Sequence, residues 1–505
     1  MVRRFSLKSL LLMLPLIANP VTALASDSGV NVGSISEVDL NEIRRVIELS
    51  DDVGAPNDAE GRTITLEGAI KIALEHNLQL QIAVLDLEAQ APEISATKAK
   101  FHPIADASAL FDGTSDMDPT GGSTTREKNR FGDAKITQEL PTGGQVVAST
   151  DVKKQSTDDP DSDYTAGFKI EATQPLLKGG RTYVARREIL DSQYDQEILR
   201  ARLRSEILNV TAGTKIAFYE TILTSRLIEV TQDALSRDRE LIDASKALFS
   251  AGRVNKRDVF SAEIKLAEDK ARLARDEREF ELAENQLRDV LGLPIDMKIG
   301  IAQREIPFDP VGIELEDWIR SAIANRPEIL EIRTELEKSD LDIRVRQNDV
   351  LPSLDLVGSY ARTQTGASTS KAYGLDDSTW TAGLNFSIPF GNVAARSRLI
   401  QAKTARARLE RQYVALERSI ELQVRSFEIA LRRALEELLA LTEEVEQARA
   451  KLEIANVRFQ LGLANNLDIT DADTDLTDSE SDLLTAITDY ASNLARIEAA
   501  IVRPI

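Results

Sequence analysis

Two stretches of the chain, 210 residues apart, are near copies of one another. Phe249-Ser-Ala-Gly252-Arg253-Val-Asn255-Lys256-Arg257-Asp258-Val returns as Phe459-Gln-Leu-Gly462-Leu463-Ala-Asn465-Asn-Leu467-Asp468-Ile, with Phe, Gly, Asn and Asp in register. Self-similarity at a fixed spacing constrains a fold more than local propensity does, because each copy must build the same unit. Gly252 and Gly462 suit the left-handed position that ends a helix. Asn255 and Asn465 suit N-caps, and Asp258 and Asp468 follow three residues later, as in a capping box. An acid in the first turn also suits the helix dipole. The pattern predicts two helix–turn–helix tips, over 252–258 and 462–468.

The duplication extends beyond the tips. Leu66-Glu67, Ile70, Ala73 and Asn77 match Leu315-Glu316, Ile319, Ala322 and Arg326 at an offset of 249, as Pro103 matches Pro352. Tyr164-Thr-Ala-Gly167-Phe matches Trp380-Thr-Ala-Gly383-Leu at an offset of 216. The first repeat runs over 62–300, with strands at about 102–175. The second runs over 301–505, with strands at about 352–390. Each reads helix, strands, long helix, turn, helix. Leu66 to Ala99 reads as one helix in which Pro92 is the candidate kink, Tyr183 to Ala251 as one long helix, and Lys256 to Leu291 as another. Leu315 to Asn348, Val393 to Leu461 and Asn466 to Ala500 correspond. Two shorter helices end to end equal one long one, roughly 100 Å at 1.5 Å per residue, as a helical cylinder of uniform height requires. Val259, Leu266, Leu273, Phe280 and Leu287 recur every seven residues, as do Ile469, Leu476, Leu483, Tyr490 and Ile497. A sustained 3.5-residue period requires a packing partner.

Residues 1–25 have the form of a signal peptide: a basic start at Arg3, Arg4 and Lys8, an apolar run, and Ala23-Leu24-Ala25 as a cleavage site. Residues 26–61 read as a flexible N-terminal extension. The chain has no Cys, which excludes disulfides and a Cys-linked lipid anchor. Removing the leader takes away three basic residues and no acidic ones, so the formal charge moves from −21 to −24. That argues against nucleic acid, whose phosphates need Lys and Arg. Aromatics are only 5 %, and Glu, Lys, Arg, Leu and Ala dominate, a composition of long helices. After residue 25 no apolar run reaches membrane-spanning length, so any crossing must be a β-barrel.

The strands alternate. Tyr164, Ala166, Phe168, Ile170 and Ala172 are apolar between polar neighbours, and Trp380, Ala382, Leu384, Phe386 and Ile388 repeat the pattern. Alternating segments of about ten residues with aromatics near their ends are the signature of a transmembrane barrel. One chain holds too few strands to close a barrel, and open edges are not tolerated in lipid, so several copies must share one. Copy one also holds extra strand-like sequence. Phe131 to Leu140 and Gln145 to Lys153 flank the turn Pro141-Thr-Gly-Gly144, and Val146, Ala148, Thr150 and Val152 line one face.

Together with Ile64-Thr-Leu-Glu-Gly-Ala-Ile70, Ala73-Leu74-Glu75-His76-Asn77 and Thr173-Gln-Pro-Leu-Leu177, this order of elements over residues 62 to 500 resembles the TolC-like outer membrane efflux protein family. The resemblance implies a fold that is mainly α with a membrane β-barrel, a duplicated helix–strand–helix repeat built into a trimeric α-barrel below a shared barrel. It implies a homotrimer set in outer-membrane lipid with its helices in the periplasm. The tips Gly252, Arg253, Asn255, Lys256, Asp258, Gly462, Leu463, Asn465 and Asp468 would dock on a periplasmic adaptor (membrane fusion) protein. A proton-driven or ATP-driven inner-membrane pump would feed the adaptor. The family pattern has two strands per repeat, four per protomer and twelve per trimer, whereas this chain has sequence for six: either the barrel has more strands, or the extra hairpin over 131–153 folds outside the membrane.

Asp468, Asp471, Asp475, Asp478, Asp482 and Asp489 fall on one helix face. Their counterparts in copy one, Asp258, Ser261, Lys265, Glu268, Arg272 and Glu279, mix signs, so the unrelieved acidic column is expected in copy two alone. A solvated face is the plain explanation. Stacked like charges destabilise a helix, however, and the resemblance puts the positions of Asp468 and Asp471 at the pore. With Asp475 on the same face, they form the candidate constriction, which three copies would turn into acidic rings. His76 and His102 have no metal-ligand spacing. Asp471-Ala-Asp473-Thr-Asp475 has the alternation of a calcium loop but lacks its Gly and closing Glu. With two His and no Cys, no catalytic constellation, metal site or cofactor is expected. The reading is a passive exit duct rather than an enzyme. Two alternatives stay open: a type I protein secretion duct, and a non-conducting structural periplasmic coiled coil.

Overall fold

The computed structural model describes residues 62–117, 124–156, 163–308, 310–312, 314–461 and 463–502. The expected signal peptide, the extension to residue 61, and Gly462 lie outside them. The first repeat comprises β1 (Arg62–Ile64), α1 (Leu66–His76), α2 (Leu78–Ala99), β2 (Ile104–Met117), β3 (Thr124–Glu139), β4 (Gln145–Ser156), β5 (Asp163–Pro175), α3 (Thr182–Ala185), α4 (Arg187–Ser250) and α5 (Lys256–Leu291). The second comprises β6 (Ile299–Ile301), α6 (Leu315–Asn325), α7 (Pro327–Asp349), β7 (Ser353–Gly366), α8 (Thr369–Ala372), β8 (Asp377–Ser387), α9 (Val393–Gln460) and α10 (Asn466–Ile501). Strands β1 and β6, which open the two repeats, pair parallel, Arg62 with Ile299 through Ile64 with Ile301.

The expected lengths hold for three of the four main helices, whereas the one expected over Tyr183 to Ala251 is interrupted at Arg186, between α3 and α4. The long helices α4 and α9 have 64 and 68 residues, and α5 and α10 have 36 each. The helix expected over Leu66 to Ala99 is broken, but not at Pro92, which lies inside α2. The break is at Asn77, whose Oδ1 accepts from the N–H groups of Gln79 and Leu80 at 3.0 and 3.1 Å and so starts a new helix. Asn77 Nδ2 also donates to the Val290 carbonyl, 2.8 Å away at the end of α5. At the matching position in copy two, Arg326 separates α6 from α7, with Pro327 at the first helical position. Arg326 Nε donates to the Ala500 carbonyl at 2.6 Å and Nη1 to Gln423 Oε1 at 2.6 Å. Both repeats therefore close the same end-to-end joint, one with an amide and one with a guanidinium.

The helices form four side-by-side columns: α2 in line with α5, then α4, then α7 in line with α10, then α9. Buried Val445, Ala448, Leu452, Ala455 and Phe459 of α9 pack with Ile469 and Leu476 of α10, and Leu438 packs further along with Tyr490 and Ile497, so the heptad series expected in α10 has its partner in α9. In α5, Val259 and Leu287 are buried, and Leu266, Leu273 and Phe280 are half-buried.

The remaining strands form one six-stranded antiparallel sheet in the order β2-β3-β4-β5-β7-β8. The extra hairpin of copy one is real: Gly143 sits at φ +85 in the predicted turn, and Leu140 N–H donates to the Gly144 carbonyl at 2.8 Å. Alternation makes the sheet two-faced. Trp380, Tyr360 and Ile170 stand in one row, and Thr381, Ser359 and Glu171 stand on the opposite face. Among the described residues no helix is long and apolar enough to cross a membrane.

Candidate functional site at the helical tips

Both tips end their long helix in the same way. Arg253 N–H donates to the Leu248 carbonyl at 2.9 Å, and Leu463 N–H to the Arg458 carbonyl at 2.8 Å, the six-to-one bond of a Schellman turn. Gly252 supplies the left-handed residue, at φ +67. The following helices start at the predicted caps. Asp468 Oδ2 accepts from Asn465 N–H at 2.9 Å while Asn465 Oδ1 accepts from Asp468 N–H at 3.0 Å. In the first tip Asp258 Oδ2 accepts from Asn255 N–H at 3.0 Å. The tips differ in what they present. Lys256 lies over the Phe260 ring at 5.2 Å beside Arg253 and Arg257, whereas the second tip exposes Leu461, Leu463 and Leu467.

The structure also joins the tips. Asn466, fully buried at the first position of α10, donates from Nδ2 to Ser245 Oγ at 2.6 Å and to the Asp258 carbonyl at 2.9 Å. One amide thus ties the second tip to both helices of the first. Lys256 holds the equivalent place in copy one, so the repeat itself conceals the role of Asn466.

The aspartate column lies along the exposed side of α10, but it is not unrelieved. Arg272 of α5 reaches Asp478 at 2.6 Å and Ser481 Oγ at 2.9 Å, and Lys451 of α9 pairs with Asp475. Periodicity within one helix could not reveal cations supplied by its neighbours. Of the candidate constriction residues, Asp475 is therefore neutralised, Asp468 is engaged as a capping acid, and Asp471 has no hydrogen bond or ion pair among the described residues. Higher up, burial pushes the Glu220 carboxyl of α4 upward, with Asp489 and its repeat counterpart Glu279 adding to the shift.

A second acidic group, which sequence spacing did not indicate, is buried behind the column. Asp238 of α4, Asp269 of α5 and Asp473 of α10 bring carboxylate oxygens within 4.8 Å of one another. Lys265 Nζ lies 3.1 Å from Asp269, and Arg237 pairs with Asp473 while donating to Thr477 Oγ1 at 3.1 Å. Each carboxylate keeps one buried oxygen without a donor. Three acids against two bases leave one surplus negative charge. Burial, and then Asp269 and Asp473, push the Asp238 carboxyl up to about 7, against the opposing pull of Lys265. Burial likewise raises Asp473 despite Arg237. With two cations already seated, the group is suited to retaining a proton. Asp473 sits in the Asp-x-Asp-x-Asp run of the sequence, which was the only available signal.

A sequence model described as outer membrane efflux protein matches residues 153–293 and 318–502. Nodulation protein T of Rhizobium leguminosarum bv. trifolii is 26 % identical over 304 residues, which are 57 % of this chain and 63 % of that protein. Outer membrane efflux protein BepC of Brucella suis is 23 % identical over 270 residues, 53 % of this chain and 57 % of that protein. The chain thus spans about six-tenths of the length of the curated relatives it matches. Among solved structures, the outer-membrane channel OprN superposes with a TM-score of 0.67 at 18 % identity, covering 86 % of this chain and 89 % of that one. That likeness is one of fold.

Proposed function

Because the chain belongs to the outer membrane efflux protein family, a family of channels rather than enzymes, we propose that it is the outer-membrane duct of a tripartite export system. Three copies enclose a passage that begins at the helical tips in the periplasm and opens through the sheet in the outer membrane. The tips dock on a periplasmic adaptor, and an inner-membrane pump delivers the substrate.

One observation carries this reading: the open edges of the helix layer and of the sheet coincide. Strand β2 follows α2 directly and both stand at one side, while β8 leads directly into α9 at the other. The outer columns expose large apolar residues, Ile82 and Ile264 on one side and Leu422, Ile429 and Ile454 on the other. Exposed apolar stripes at both edges of a helix layer are what a ring of copies buries. A structural coiled coil has no use for the sheet.

At the tip, Asp468 and Asp471 line the narrow entrance and favour cations. The purified trimer in planar bilayers is expected to be cation-selective, and Asp468→Asn with Asp471→Asn to lower both selectivity and conductance. If the double variant conducts like the parent, the constriction lies elsewhere. If no channels form at all, the duct reading fails.

A further inference from the structure

The sheet has six strands, and the three that open it follow the same two-faced rule as the rest. Across all six, Trp380, Tyr360, Ile170, Ala148, Ile136 and Ala105 stand in one row. From β5 to β2 the next row on that face reads Phe168, Thr150, Ala134, Ala107, continued by Arg362 and Ser378 on β7 and β8, and the one after it Ala166, Val152, Gly132, Ala109, continued by Gln364 on β7. The opposite face is mainly polar, with Lys169, Ser149, Lys135 and Asp106 in one row, although Phe131 and Leu110 stand on it beside Lys153. Lys135 lies 3.6 Å from Asp106, and Ser108 bonds Asp133. A one-residue slip would turn either extra strand inside out. A hairpin folded away from the membrane has no reason to keep its apolar positions in line with Ile170 and Tyr360.

The edges of this sheet are β2 and β8. Every residue of β8 is exposed, and an unpaired edge is not stable in lipid. With an even number of alternating strands, the two edges run in opposite directions, so β8 of one copy meets β2 of another as an antiparallel pair. Resting on the trimeric reading above, we propose that β2 of each protomer pairs with β8 of the next, so that three copies close an eighteen-stranded barrel. Strands about 4.8 Å apart and tilted by about 40° make such a wall roughly 36 Å across. Twelve helix columns at about 9 Å spacing make a ring of roughly 34 Å. Twelve strands would narrow the outlet to about 24 Å. The outlet therefore keeps the width of the tunnel, and selection by size is left to the tips.

The chain has no Cys, so introduced pairs report cleanly. Ser108→Cys on β2 is combined in turn with Thr379→Cys, Thr381→Cys and Asn385→Cys on β8, all on the polar face. Within one protomer four strands separate these positions, so a disulfide joins copies. Oxidation of trimers in outer-membrane fractions is expected to give covalent trimers for at least one pair. Ser149→Cys on β4 with the same β8 partners is expected to give none. The native mass of the unoxidised protein separates the two readings: a monomer overturns both the trimer and the barrel. A trimer that links through β4, or does not link through β2, keeps the duct and overturns the eighteen-stranded wall. Electron cryomicroscopy of the unsubstituted trimer in nanodiscs counts the strands directly, with eighteen expected and twelve overturning the proposal.

Discussion

Asp238 is the residue at which burial and charge conflict most sharply. It lies among Asp269 and Lys265 on α5, Asp473 on α10 and Arg237 on its own helix. Its carboxyl stands at about 7 in the folded chain, against about 3.9 unfolded. Between those values the folded state holds a proton that the unfolded state has lost. Stability therefore falls as pH rises from about 4 to about 7 and levels off above that. The helical section is expected to melt lower at pH 8 than at pH 5 by circular dichroism. Asp238→Asn removes the titration and is expected to narrow that gap, with a gain on the order of a few kcal/mol at pH 8. A gap as wide as the parent's would mean that the proton resides on another group. The capping acids Asp258 and Asp468 were legible in the sequence because a cap is made within three residues. The Asp473 pairing was not, because its partner Arg237 is 236 positions away.

At the scale of elements, two glycines share a backbone conformation but differ in surroundings. Gly252 at the first tip has φ +67 and open space where a Cβ would stand. Gly292 at the end of α5 has φ +66, and a Cβ there would lie 2.1 Å from the His76 carbonyl oxygen and 3.0 Å from Asn77 N. Gly252→Ala should therefore cost only the left-handed conformation, about 1 kcal/mol. Gly292→Ala must also push the joint between α5 and the α1–α2 break apart, so it should cost several times more. Thermal melts of the two variants check the order, and equal costs would mean that the joint yields freely. Pattern showed that α5 has 36 residues and that the repeat needs an end-to-end joint. It misplaced the break in copy one, because a proline is a visible local signal. The seal made by Asn77 to Val290 spans 213 residues and has no local signature.

At the scale of the molecule, the proposed trimer sets the exposed apolar side of α9 against a neighbouring copy. Leu422 and Ile429 are 66 % and 50 % exposed in the protomer, so Leu422→Glu with Ile429→Glu should leave its helices almost as stable as before. In a ring the same charges would enter the interface unpaired, a penalty of several kcal/mol at each contact. The variant should therefore run as a monomer in detergent, while keeping helical content by circular dichroism. A variant that stays trimeric would place the interface on another face.

By itself, the sequence determined the duplication, the lengths of three of the four main helices, the caps of both tips and the two-faced strands. Each of these depends on neighbours within a few residues or on a period that one strand or helix displays. Only the tertiary structure decided which charges are relieved. Arg272, Lys451 and Arg237 reach the α10 acids from other helices, and one buried aspartate remains in surplus behind them. It also placed the extra hairpin in register with the rest of the sheet, because row alignment is set by hydrogen bonds between strands and not by alternation within one.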